Sequence, residues 1–272
     1  MCTLIAFQGV WDDAPLVVAV NRDEAYDRPA LPPAWCGGPA GLRILMPRDE
    51  RAGGTWMGAN EAGVWVGLTN RDGPDLDPAR RSRGLLCLDL LGARHGREVA
   101  DRVAALEEAY NPFNLVAGDA GGLHVTEYAG GSSRTRWLGP GCHVVTNRPL
   151  DEAAGEPKVA RALARLAEVG LWPRPRLGGR APRGLARRLA AILADHGAEG
   201  HDALCLHGGR YGTRCAAVWR IAPRRSPGRS SAGRVDLLYA DGPPCSVRFE
   251  PVTGGAEASR ADGAAAGRSS GA

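Results

Sequence analysis

Cys2, in the run Met1-Cys2-Thr3-Leu4-Ile5-Ala6-Phe7, is the residue of this chain best placed to act as a nucleophile. Initiator methionine is commonly trimmed when the next side chain is small, and its loss leaves a thiol and a free α-amine on one residue. The amine titrates near ~8 and a free thiol near ~8.5, so proton exchange between them costs little at neutral pH. An N-terminal nucleophile that uses its own amine as base is an established catalytic arrangement. The competing use of cysteine here is as a small apolar residue opening a strand.

Three kinds of partner stand further along. Asn21-Arg22-Asp23-Glu24 follows the apolar run Leu16–Val20. If that run is a strand continuing to Asp23, alternation puts Asn21 and Asp23 on one face and Arg22 on the other. A carboxylate there can hold an amine and tune its pKa, whereas a solvated strand end with a surface ion pair contributes little. Leu68-Thr69-Asn70-Arg71 and Val144-Val145-Thr146-Asn147-Arg148 each place an asparagine where a β-type run stops. Amides at such positions can form an oxyanion hole, although ending a strand as a turn residue is asparagine's commoner use. Arg214, in Tyr211-Gly212-Thr213-Arg214, can bind an anionic substrate group or brace the site.

The bulk composition narrows the class. A hydrophobic fraction of 44% and a charged fraction of 24% are ordinary for a globular protein, and the net charge of +4 is modest. Lys158 is the only lysine; the arginines interleave with acids except near Arg180–Arg188 and Arg224–Arg229, and no aromatic-basic signature is present, so no nucleic-acid partner is expected. Seven cysteines at irregular spacing do not form a disulfide framework, and no Cys-x-x-Cys pair exists. The six histidines lack metal-ligand spacing, so neither a metal nor a cofactor is expected, and the six cysteines beyond Cys2 read as structural thiols. A reducing cytosol fits this usage. No apolar run approaches the ~20 residues needed to span a bilayer, and the amino terminus lacks the pattern of a signal peptide. A soluble cytoplasmic protein is expected.

The elements that must position these residues can be read in outline. Thr3–Phe7 and Leu16–Val20 form an opening hairpin, and Pro29–Pro39 reads as a loop. Thr55–Gly58 and Val64–Thr69 flank the turn Asn60-Glu61-Ala62-Gly63. Leu85–Leu91 reads as a helix, and Val99, Val103 and Leu106 mark a second one ended by Asn111-Pro112. Strands follow at Asn114–Ala117, Leu123–Tyr128 and His143–Thr146, then a helix from Pro157 and another carrying Leu185, Leu189, Ile192 and His196. Cys215–Ile221, Val235–Tyr239 and Ser246–Glu250 close the series, with a polar loop near Ser226 and a disordered tail over 253–272. Strands, two helices, strands, two helices, strands is the order of stacked sheets covered by helices, an α+β layered architecture in one domain over 1–252.

Taken in order, Met1-Cys2, Asn21-Arg22-Asp23-Glu24, Gly53-Gly54-Thr55-Trp56-Met57-Gly58, Leu68-Thr69-Asn70, Ser82-Arg83-Gly84, Asn111-Pro112-Phe113-Asn114-Leu115 and Tyr211-Gly212-Thr213-Arg214 resemble the NRDE family of transport and Golgi organisation 2-like proteins. That resemblance implies an N-terminal-nucleophile (Ntn) hydrolase-like fold, a four-layer αββα sandwich of two antiparallel sheets between helix layers. It carries a distant similarity to choloylglycine hydrolases and penicillin acylases, which also start Met-Cys and carry Asn-x-Asp near the second strand. By that likeness Cys2 is nucleophile, Asp23 orients its amine, and Asn70 and Asn147 form the oxyanion site, with Asn21, Arg22 and Arg214 binding substrate or bracing the site. Choloylglycine hydrolases have an arginine immediately before the Asn-x-Asp asparagine, where this chain has Val20. Arg22 lies on the opposite expected face from Asn21, which leaves Arg214 as the replacement. Two functions follow: a hydrolase or acyltransferase acting on a non-peptide amide or acyl substrate, or a non-catalytic carrier of haem or an acyl lipid on the same fold.

Overall fold

The computed structural model describes residues 2–71, 76–173, 177–197, 202–223 and 233–253. Its strands are β1 (Thr3–Trp11), β2 (Ala14–Ala25), β3 (Ala30–Gly37), β4 (Arg43–Asp49), β5 (Met57–Asn60), β6 (Trp65–Asn70), β7 (Phe113–Asp119), β8 (Gly122–Ala129), β9 (Ser132–Leu138), β10 (Gly141–Val145), β11 (Tyr211–Pro223), β12 (Gly233–Ala240) and β13 (Glu250–Pro251). Its α-helices are α1 (Arg83–Leu90), α2 (Gly96–Ala104), α3 (Pro157–Glu168) and α4 (Leu185–Leu193). One sheet runs β10-β1-β2-β11-β12-β13 and the other β3-β4-β5-β6-β7-β8-β9, with every pairing antiparallel.

Burial sorts these elements into four layers. Leu4, Leu16, Val18, Trp65, Val125 and Trp219 meet between the sheets. Ile5, Phe7, Val17 and Ala19 turn the other way and pack on Leu166 of α3 and Leu189 and Ile192 of α4. On the far side Ile44, Val66 and Leu115 pack on Leu86 and Leu90 of α1 and Val99 of α2. The expected αββα sandwich is therefore the observed one. Both faces of β1 and β2 are covered, so their sequences read as unbroken apolar runs and not as an alternation.

Several boundaries differ from expectation. The proline-rich stretch after Pro29 is not a loop: β3 is an edge strand, and its register with β4 shifts between Leu31 and Ala34, where Pro32 and Pro33 stand. Proline lacks a ladder donor but is tolerated on an edge or in a bulge. Helix α2 stops at Ala104, before Leu106 and well before Asn111. Helix α4 stops at Leu193, leaving His196 outside and exposed. The last expected strand shrinks to Glu250–Pro251, because the Ser246 and Val247 amides donate to the Pro243 carbonyl in a turn. The polar loop near Ser226 and the tail over 254–272 lie outside the described residues. No described helix is long and apolar enough to cross a membrane.

Candidate active site

Cys2 directly precedes β1, and alternation along that strand puts it on the face of Leu4 and Ala6, between the sheets. The register Leu4↔Val20 and Thr3↔Asn21 brings the end of β2 alongside. Val20 shares the inter-sheet face with Leu4, so Arg22, two residues on, does as well, opposite Cys215 of the same inter-sheet core. The face opposite Asn21, which made Arg22 look displaced from the sequence, is thus the face Cys2 occupies. Cys2 and Arg22 line one cleft of about 360 Å³ together with Glu24, Thr55, Trp56 and Asn70. The Arg22 guanidinium stacks 4.0 Å from the Trp56 ring centroid and reaches Glu24 Oε2 at 3.5 Å.

Asn21 and Asp23 turn toward the helices. The Asn21 amide donates to the carbonyls of Leu193 (2.8 Å) and Leu204 (2.7 Å), tying the end of α4 and the following loop to β2. Asp23 works with both ends. Its carbonyl accepts from the Tyr211 hydroxyl at 2.7 Å and faces the Cys2 thiol at 3.9 Å. Its carboxylate accepts from Thr213 Oγ1 at 2.7 Å and from Lys158 Nζ at 3.1 Å. Lys158 and Asp23 are both buried, with side-chain exposures of 1% and 0%. Burial pushes the Cys2 thiol above the ordinary thiol range; Asp23's negative charge pushes the same way, and Arg22 pulls against it.

The two asparagines at strand ends do meet. Asn147 Nδ2 donates to the Asn70 carbonyl, so the loop after β10 fastens the end of β6. Asn70 is exposed and lines the cleft, whereas Asn147 is buried behind it. A third asparagine, Asn114, donates to the carbonyls of Thr146 (3.0 Å) and Arg148 (2.8 Å) and so sets the Asn147 loop. Arg214 is the extra residue of a bulge between Thr213 and Cys215; it does not line the cleft, and its Nε is buried without a hydrogen-bond partner.

Opposite Cys2 the wall comes from the Gly53–Trp56 turn and the start of α1. Ser82 caps α1 by accepting from the Gly84 amide at 3.2 Å, and the Thr55 amide donates to the Gly84 carbonyl at 3.0 Å. A Cβ on Gly54 would overlap the Gly84 carbonyl, so only glycine permits this approach. Arg83 donates to the Pro112 carbonyl at 2.7 Å, locking the wall to the loop before β7. Arg28, Arg51, Arg80, Arg81 and Arg83 join Arg22 around the opening, against the carboxylates of Glu24 and Asp49.

Reading the sequence missed Lys158, Thr213 and Trp56. Trp56 and Thr213 stand in motifs already singled out but without a role, and Lys158 left a signal of its own: one lysine survives in a chain that otherwise uses arginine. A flexible ammonium fits a closed pocket beside one carboxylate where a planar five-donor guanidinium would not.

Comparison with known proteins identifies the family and the fold. A Transport and Golgi organisation 2 family model matches residues 1–225. The Transport and Golgi organization 2 homolog of Mus musculus is 35% identical over 106 residues, and the Homo sapiens homolog 36% over 106 residues. Each match spans 38% of this chain and 38% of the relative's length. Among solved structures, a Caenorhabditis elegans N-acylethanolamine-hydrolyzing acid amidase superposes with a TM-score of 0.53 at 14% identity, covering 80% of this chain and 92% of that one; it supports the Ntn-hydrolase-like fold alone. A conjugated bile acid hydrolase of Clostridium perfringens aligns at TM-score 0.44 and 11% identity over 94% of this chain and 97% of that one. The family match takes in β1 to β11 and every residue placed around the cleft, and the chain belongs to the Transport and Golgi organisation 2 family.

Proposed function

We propose that this protein is an N-terminal-cysteine hydrolase that cleaves a non-peptide amide or acyl bond in a small substrate bearing an anionic group. The observation that carries the reading is Cys2 at the base of a cleft beside Arg22, with further arginines around the opening. A thiol pushed up by burial is protonated at neutral pH, so attack needs a base. Once Met1 is removed, the Cys2 α-amine is that base. It takes the thiol proton, sulfur adds to the carbonyl carbon, and the Asn70 side chain stabilises the resulting oxyanion. Collapse returns the proton to the leaving amine and leaves a thioester, which water hydrolyses with the amine again as base. Asp23, clamped by Lys158 and Thr213, fixes the β2 end against which Cys2 sits. The arginines supply the recognition of a carboxylate or phosphate on the substrate.

The acid amidase that shares the fold cleaves an N-acylethanolamine by its name, and an amide is the corresponding bond here. The alternative of haem or acyl-lipid carriage finds less support. A macrocycle or long acyl chain needs apolar walls, and these walls are dominated by guanidinium and carboxylate groups.

Intact-mass spectrometry of the expressed protein, before and after a thiol-acylating β-lactone, tests the reading. Loss of Met1 and one probe per chain mapped to Cys2, abolished in Cys2→Ala, are expected. Retained Met1, or labelling that survives Cys2→Ala, rejects the mechanism. A Soret shift on haem titration, lost in Cys2→Ala, would favour the carrier.

A further inference from the structure

Four side chains far apart in sequence converge behind the cleft. His196 lies just past α4, Cys205 and His207 in the segment leading to β11, and Cys245 in the turn after β12. Their ligating atoms all lie within 4.8 Å of one another. Cys205 Sγ is 3.7 Å from Cys245 Sγ and 3.6 Å from His207 Nε2, and His207 Nε2 is 3.2 Å from Cys245 Sγ. The His196 and His207 rings meet with centroids 5.1 Å apart.

The three separations among Cys205, His207 and Cys245 come near the edges of a tetrahedron, and His196 closes the set within 4.8 Å. Bonds of about 2.3 Å to sulfur and 2.0–2.1 Å to nitrogen at tetrahedral angles put two sulfurs ~3.8 Å apart and sulfur and nitrogen ~3.6 Å apart. The sulfurs are too far apart for a disulfide, whose bond is ~2.05 Å. Two thiolates and two imidazoles are the donor set that selects Zn(II) over harder divalent ions. We propose that His196, Cys205, His207 and Cys245 form a structural Zn(II) site. Four protein ligands leave no open position, so the ion is structural and not catalytic. Binding displaces the two thiol protons into solvent as the ion gains two thiolates.

The role follows from what the ligands hold. The Leu204 and Cys205 amides donate to the Asp195 carbonyl at 3.0 and 2.8 Å, just past α4. Leu206 and Thr213 exchange bonds: the Leu206 amide donates to Thr213 Oγ1 and the Thr213 amide to the Leu206 carbonyl, both at 2.9 Å. His207 is bridged to Gly212. A Cβ on Gly212 would strike the Tyr26 hydroxyl and the Leu206 carbonyl, so this hairpin is closed tightly. The ion thus fastens the segment that carries Tyr211 and Thr213 against Asp23, one layer behind Cys2. The expectation of no metal rested on spacing along the chain, and no spacing rule joins position 196 to position 245.

The test uses the untagged full-length chain purified under reducing conditions. Elemental analysis is expected to find one zinc per chain. Cobalt substitution of the stripped protein is expected to give the visible bands and near-ultraviolet thiolate charge-transfer absorption of a tetrahedral site. The exposed Cys245 thiol should resist alkylation until a chelator is added. Cys245→Ser and His207→Ala, both at exposed positions, should weaken zinc binding by at least about 10-fold while keeping the far-ultraviolet circular dichroism of the parent. Absence of zinc together with no cobalt spectrum from reduced, folded protein would falsify the site. So would a Cys205–Cys245 disulfide in protein prepared under those conditions, or unchanged zinc affinity in both variants.

Discussion

Lys158 is the most consequential residue that touches no solvent. Its ammonium and the Asp23 carboxylate are sealed together at 3.1 Å under α3, beneath the strand end that faces Cys2. Removing one partner of a buried pair leaves an uncompensated charge, which costs ~3–5 kcal/mol, whereas replacing both with neutral groups of similar size can cost far less. Lys158→Ala should therefore lower the urea-unfolding free energy by that amount, and Lys158→Met combined with Asp23→Asn should recover much of it. Equal losses in the single and double variants would mean that the pair is already solvated or that packing alone matters. The asparagines behave differently from the lysine. Asn21, Asn60 and Asn114 each donate to two backbone carbonyls of another segment: Leu193 and Leu204, Leu91 and Ala93, and Thr146 and Arg148. A side-chain amide carries two N–H groups on one nitrogen, enough to close the carbonyls at a helix end or loop. Sequence put these residues at strand boundaries (Asn21 after an apolar run, Asn60 in a turn, Asn114 opening a strand); it could not show whether an amide faces the cleft or a loop, because that depends on which segment packs there. Arg22 makes the same point in reverse. Its position two residues after Val20 was legible, but its face became useful only once Cys2 was known to share it. Arg22 opposes the upward push on the Cys2 thiol, so Arg22→Leu should slow alkylation of Cys2 at fixed pH near 8. An unchanged rate would place the guanidinium's charge entirely on Glu24.

At the level of elements, strands buried on both faces were mostly legible, β4 with its Pro47 and flanking arginines being the exception. β1, β2 and β11 are covered on both sides, so their apolar runs stood out, as did the amphipathic α3, where Val159, Ala162 and Leu166 face the sheet. The edges hid. β9 is largely exposed and carries Arg134 and Arg136, which pair with Asp151, and β3 contains two prolines. Charge and proline are how a sheet edge avoids pairing with another chain, and they erase the usual strand signature. The cleft wall was legible as motifs but not as a contact. Gly53-Gly54-Thr55-Trp56 and Ser82-Arg83-Gly84 are separate in sequence, yet the Thr55–Gly84 bond and the overlap that a Gly54 side chain would create show that they form one unit. Gly54→Ala should therefore destabilise by more than ~1 kcal/mol, because the backbones themselves must part. It should also slow probe labelling at Cys2 by shifting the wall. Ser82→Ala loses only the α1 cap, ~0.5–2 kcal/mol, and should leave the labelling rate near that of the parent. Thermal unfolding and labelling measured on both variants separate the two effects; parallel changes in both would show that the wall has no bearing on the site.

Across the whole molecule, the acid limb of stability is set by carboxylates held by arginines. At Asp195 burial would raise the carboxyl, but the Arg161 hydrogen bond, the Gly197 amide and the charges of Arg161 and Arg165 carry it below its ordinary value. Asp49 is lowered in the same way: burial opposes, and Arg28 with the Arg51 and Ala52 amides prevails. Asp151 is lowered too, by Arg136 and Arg134, but it is fully exposed and screened, so it contributes little. A carboxylate whose folded pKa is depressed adds stability that is present above its unfolded value, near ~3.9, and is lost as pH falls through the folded pKa. The molecule should therefore hold its stability from neutral pH down to about 5 and lose it progressively below about 4. Asp195 has the wider reach, because the Leu204 and Cys205 amides hang on its carbonyl while its carboxylate receives Arg161 at 2.7 Å and Arg165 at 2.9 Å. It joins α3, α4 and the segment entering β11 at one residue. Asp195→Asn should lower stability at pH 7 by ~1–3 kcal/mol, the cost of losing charged hydrogen bonds. The variant should then lose less than the parent between pH 5 and pH 3, since the group that titrates there is gone. Urea midpoints at those three pH values decide the matter. A parallel loss in parent and variant would mean that Asp195 keeps an ordinary pKa and that acid sensitivity lies with Asp49 at the mouth of the cleft, where Asp49→Asn should then flatten the curve.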